Sequence, residues 1–149
     1  MGSGTVLASG ARQPDMLRDE MKWELQRAAL ARRKVTYGYL MKRFGLTRGG
    51  QGRSVVSVLG EIDEAESMAG RPGFAAIVVR GDTGYPGGGF FCWQGVPVHL
   101  RVPRERANDP RLSPDQIRYV KEQQEAVWTY YREHPGEGGP GPAQSFIDP

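Results

Sequence analysis

A chain of 149 residues with 38% hydrophobic and 25% charged residues fits one globular, cytoplasmic domain, and no apolar run approaches the ~20 residues of a membrane span. The single cysteine, Cys92, excludes an intramolecular disulfide, and two scattered histidines, His99 and His134, give no metal-ligand spacing, so neither a metal nor another cofactor is expected. The net charge is only +3, yet residues 11–53 hold eleven Lys and Arg against four acids, while residues 54–70 hold four acids and no base; an anionic partner belongs at the basic end.

Residues 1–13 are rich in Gly, Ser and Ala without periodicity and read as a disordered leader lacking the basic start and apolar block of a secretory signal. Asp15 is placed to cap a first helix closed by Arg32, Arg33 and Lys34, with Leu17, Met21, Leu25 and Ala28 on its buried face and Trp23 off that stripe. Thr36 caps a short helix through Tyr37, Leu40, Met41 and Phe44, which Gly45 ends. A joint containing Gly49, Gly50 and Gly52 leads into a helix from Arg53 to Met68. Its inner stripe is Val55, Val58, Leu59 and Ile62, and Arg53, Ser54, Ser57 and Glu61 point outward. Two short helices across a tight turn predict a helix-turn-helix.

The run FAAIVV, Phe74 to Val79, predicts a buried strand. RGDTGYPGGG and FFCW then predict a glycine-rich hairpin tip and its returning strand. Alternation over Val96, Val98, Leu100 and Val102 predicts an edge strand containing Pro97, and Arg104 to Arg111 reads as a polar loop. Ser113, Pro114 and Gln116 form a capping box for a last helix reaching about His134, with Ile117, Val120, Val127 and Tyr131 inward and Trp128 and Tyr130 flanking. Residues 135–149 are mostly Gly and Pro and read as a disordered tail. The expected fold is α+β, a winged helix-turn-helix with a β-hairpin wing and an additional C-terminal helix, in one domain over residues 14–134.

Lys42, Arg43, Arg48 and Arg53 are candidate phosphate contacts, with Ser54, Ser57 and the amides of the glycine joint as uncharged donors and Arg80 at the base of the wing; the plain alternative is a solvated helical face. RGDTGYPGGG lacks both GxxxxGK[ST] and a following helix, which argues against a nucleotide loop. Glu61, Asp63, Glu64 and Glu66, with no histidine nearby, read as a solvated face rather than a metal or acid–base site. Cys92, between Phe91 and Trp93, reads as an inert buried thiol.

VTYG entering a short helix, GRSVVSVLGEI as the next helix, and an apolar strand running into a glycine-rich turn resemble the DNA-binding domain of O6-alkylguanine-DNA alkyltransferases and alkyltransferase-like proteins, over about residues 34–91. The resemblance implies a winged-helix scaffold on which Tyr37 and Arg53 occupy the places of the family's groove-working tyrosine and arginine. Where the family carries its Pro-Cys-His-Arg tetrad this chain has Phe74, Ala75, Ala76 and Ile77, which excludes alkyl transfer on chemical grounds.

The expected function is therefore non-catalytic binding of double-stranded DNA, with Tyr37, Lys42, Arg43 and Arg48 on phosphates, Arg53 in a groove and the Gly81 to Gly89 hairpin as wing. The alternative is a protein-interaction or dimerisation module on the same scaffold, meeting a partner or second copy through Trp93, Trp128, Tyr130 and Tyr131, in a nucleic-acid-related defence or regulatory system. An enzymatic reading such as a nuclease lacks a visible acid cluster. Exposure of Tyr37 and Arg53 on one face favours binding; an Arg53 that is buried or paired with Glu61 makes residues 35–57 architecture.

Overall fold

The computed structural model describes residues 14–47, 53–93, 95–107 and 111–136. The expected leader, most of the expected tail and the glycine joint with Arg48 lie outside the described residues. The architecture is α+β: helices α1 (Pro14–Leu30), α2 (Tyr37–Phe44), α3 (Val55–Met68) and α4 (Pro114–Glu133) surround two short strands, β1 (Val35–Thr36) and β2 (Val78–Val79).

Capping chemistry sets the helices. Asp15 falls inside the first turn of α1 instead of capping it, and bonds Arg18 at 2.9 Å. The far end of α1 closes on Arg32 in the left-handed region (φ 56°), with Arg32 N–H donating to Ala29 O and Arg33 N–H to Ala28 O, the paired bonds of a Schellman ending. A non-glycine residue is held there because the Arg32 guanidinium pairs with Glu125 of α4 and lies 4.8 Å from the Trp128 ring centroid. Thr36 Oγ1 accepts from Tyr39 N–H at 3.0 Å and Gly45 (φ 67°) ends α2. Ser54 caps α3 through Ser57 N–H, so α3 starts two residues later than the pattern of basic and apolar residues suggests. Ser113 and Gln116 form the reciprocal capping box of α4.

The predicted hairpin is not formed among the described residues. β2 pairs in parallel with β1, Val35 opposite Val78 and Thr36 opposite Val79. Phe74 to Ile77 is not extended, because the Asp63 carboxylate accepts from Phe74 N–H (2.6 Å) and Ala75 N–H (3.0 Å) and turns the chain into a 3-10 turn over Ala75–Ile77. Phe90, Phe91 and Cys92 of FFCW also lie in a 3-10 turn, Gly88–Cys92, and the alternating stretch after it turns at Val98–Leu100. Cys92 is accordingly half-buried, its thiol 3.2 Å from Val102 O.

The predicted stripes of α1 and α3 are buried in one core with Leu40, Phe44, Phe74, Ile77, Val127 and Tyr131. A second, smaller core joins Phe91, Val96, Leu100 and Val120. The expected solvated acidic face of α3 is corrected in two of its four residues. Asp63 is buried under Gly73 and Phe74, and Glu66 is fully buried. Glu66 takes hydrogen bonds from Tyr131 Oη (2.7 Å) and Arg71 Nε (2.6 Å) and pairs with Lys22 Nζ at 2.6 Å, so one carboxylate ties α1, α3, α4 and the following loop together.

Candidate nucleic-acid interface

The strand register decides which predicted residues meet. Thr36 lies opposite Val79, so the next residues, Tyr37 and Arg80, leave the sheet side by side. Tyr37 is half-buried, and burial holds its phenol above the ordinary value, while a hydrogen bond with the Gly87 backbone and the charge of Arg80 act the other way. Arg80 reaches Asp82 with Nε (2.9 Å) and Nη2 (2.8 Å). Lys34 Nζ donates to Gly84 O at 3.2 Å and sits 5.3 Å from the Tyr85 ring centroid, which fixes the glycine-rich turn against the entry to β1.

Tyr37 and Arg80 open onto a groove of about 1030 Å³ whose walls include Val56, Phe90, Trp93 and Arg104. Val56 and Trp93 are exposed there, at 57% and 41%. The groove thus brings Arg80 and Arg104 together with an exposed indole and an exposed valine. No family model, curated protein or solved structure matches the chain.

The remaining predicted residues divide. Lys42 and Arg43 are exposed on α2, Arg43 lying 4.7 Å from the Phe44 ring centroid. Arg48 is outside the described residues. Arg53 meets the condition for architecture: its Nη2 donates to Glu61 at 3.2 and 3.3 Å, Arg18 shares the same carboxylate at 3.7 Å, and its Nε is buried without a partner. The cause is backbone. Thr47 N–H donates to Arg53 O (2.9 Å) and Val55 N–H to Thr47 O (3.2 Å), which pins Arg53 at the foot of α3 and lays its side chain along the helix toward Glu61. Ser54 is spent on the cap, and Ser57, though exposed, faces a hollow shared with Glu61, Asp63 and Glu64.

The aromatic patch of the alternative reading is dispersed. Tyr131 is fully buried on Phe74 with centroids 5.0 Å apart, Trp128 donates to Arg33 O at 3.2 Å, and Tyr130 stacks on His134, so Trp93 alone of the four lines the groove. Arg104 was missed because its loop looked merely polar. Its signal was present, since residues 101–111 hold four arginines against two acids. Among the described residues no group of three or more His, Cys, Asp or Glu side chains is arranged to hold a metal ion, and no described helix is long and apolar enough to cross a membrane.

Proposed function

We propose that the chain is a non-catalytic DNA-binding protein that contacts DNA through the groove beside Tyr37 and Arg80, with the Arg53 end of α3, paired with Glu61, serving as architecture rather than as a reader. The observation that carries this reading is the register of β1 and β2, which brings two residues 43 positions apart, Tyr37 and Arg80, to one groove with Arg104 and an exposed Trp93. Arginines suit phosphate through their planar donor forks, and an exposed indole offers a face for an unpaired base. The Arg80–Asp82 pair does not oppose this. An exposed ion pair is worth ~0.2–1 kcal/mol, so a phosphate can replace Asp82 at small cost. Lys42 and Arg43 extend the cationic surface along α2.

The test is a titration of labelled duplex, mismatched and single-stranded DNA at two salt concentrations. Arg80→Ala is expected to weaken binding about tenfold and to lower the salt slope by about one, and Trp93→Ala to weaken mismatched and single-stranded binding most. Arg53→Ala should leave affinity within about twofold, in contrast to the reading from sequence. Absence of binding to all three probes at low salt removes the proposal.

A further inference from the structure

The hollow that Ser57 faces holds about 730 Å³ and is walled by two helices. Gly60, Glu64 and Met68, each four residues after the last, give it one face of α3, and Tyr119 and Gln123 give it one face of α4. From Ser57 to Met68 that face of α3 is ~16 Å long, about three helical turns.

Its apolar lining is left in water. Met68 is 83% exposed and Trp93, on the opposite rim from the 3-10 turn at Gly88–Cys92, is exposed as well. Large apolar side chains of these two types are what protein interfaces collect. Its charge has one sign among the described lining residues. Glu61 is held by Arg53 and Arg18, and Asp63 by the Phe74 and Ala75 amides, but Glu64 is exposed and makes no hydrogen bond or ion pair among the described residues. Gln94, between Trp93 and Gly95, adds no charge. The same face runs to the negative pole of α3, whose last turn holds no basic residue. Gly60 fits the same reading. It has no left-handed φ and no described atom within 4 Å of the Cβ it lacks, so no described contact accounts for a mid-helix residue that costs ~0.5–1 kcal/mol relative to alanine. Its bare backbone lets another chain lie close.

We infer that this hollow docks a basic amphipathic helix of a partner protein, about three turns long, with its apolar face between Met68 and Trp93 and a Lys or Arg on Glu64. Charge decides the occupant. A nucleic-acid strand or an acidic helix would set negative charge against Glu64, and a second copy meeting the same face would oppose acid with acid. The inference does not rest on the DNA reading, because Glu64 and Met68 lie outside the groove of Tyr37 and Arg80.

The experiment is fluorescence anisotropy of the full chain with labelled peptides about 14 residues long. One is a Leu/Lys helix with its leucines on one face, the second has Glu in place of Lys, and the third has the Leu/Lys composition in an order without an apolar face. The first should bind saturably at one equivalent, and the other two at least about tenfold more weakly. Glu64→Lys and Met68→Ser replace exposed residues, leave the fold intact by circular dichroism and should each weaken binding about tenfold. Glu133→Lys, which makes the same charge change outside the hollow, and Arg80→Ala, in the DNA groove, should leave it within about twofold. Equal binding of the three peptides, binding of none, or an equal loss in Glu133→Lys overturns the inference. So does self-association in sedimentation equilibrium that Met68→Ser abolishes without any peptide binding, which would make the occupant a second copy.

Discussion

Replacing Glu66 with Gln keeps the shape of the most connected side chain in the core and removes its charge. Lys22 and Arg71, each only 19% exposed, then lose their shared counterion. Burial by itself pushes the Glu66 carboxyl upward, but hydrogen bonds from Arg71, Lys22 and Tyr131 outweigh it and hold the group at about 2 against an ordinary 4.5. At 1.36 kcal/mol per pH unit that difference contributes ~3 kcal/mol, in line with the cost of breaking a buried pair. Because the folded value is depressed, this stability is present above pH 4.5 and is lost as pH falls toward 2. Urea unfolding followed by tryptophan fluorescence at a series of pH values measures it. Glu66→Gln should be ~3 kcal/mol less stable at pH 7, and the two proteins should converge as the pH approaches 2. A variant within ~0.5 kcal/mol of wild type at pH 7, or a difference that persists unchanged in acid, would refute the reasoning.

Asp63 responds to pH in the opposite sense. Desolvation raises its carboxyl to about 6 from 3.8 against the pull of the Phe74 and Ala75 amides, so its contribution is full below pH 3.8 and is lost as pH rises through 6. The stability of wild type relative to Asp63→Asn should accordingly fall by ~3 kcal/mol across that window, and a pH-independent difference between the two would contradict it. Gly73→Ala puts a methyl group 2.5 Å from Asp63 Oδ2 and must displace that carboxylate from its two amides; a loss of ~2 kcal/mol or more in thermal or urea unfolding is expected, and an unchanged midpoint would show the loop to be more compliant than its contacts imply.

The helices were legible where their signals are local. Thr36 with Gly45 and the Ser113–Gln116 box each act within three or four residues of the helix they bound, and the apolar stripes of α1 and α3 follow from spacing alone, whereas Ser54, which reads as an exposed donor, is the cap of α3. The expected strands are absent among the described residues of these stretches, except at Val78–Val79, because short apolar runs beside glycine do not encode their own conformation. FAAIVV is bent by an acid eleven residues earlier in the chain, and FFCW and the Val96–Val102 stretch fold as turns around a core that exists only once α4 has docked. Glu66 shows the conflict most directly. It follows Ile62 by four residues and so falls on the buried stripe, while its residue type argues for water; three partners remote in the chain, Lys22, Arg71 and Tyr131, resolve it. Tyr37 and Arg80 became neighbours through a strand pairing that no local pattern announced, and Arg53 left the interface for the same kind of reason.

Helix α4 runs through both cores, with Val120 in the smaller and Val127 and Tyr131 in the larger. The helical pair α2–α3 therefore cannot be excised as a minimal fragment: truncating the chain before α4 would strip Tyr131 from Phe74 and from Glu66 and leave a carboxylate stranded in an opened interior. Any recombination that transplants this unit into another protein must carry its last helix along.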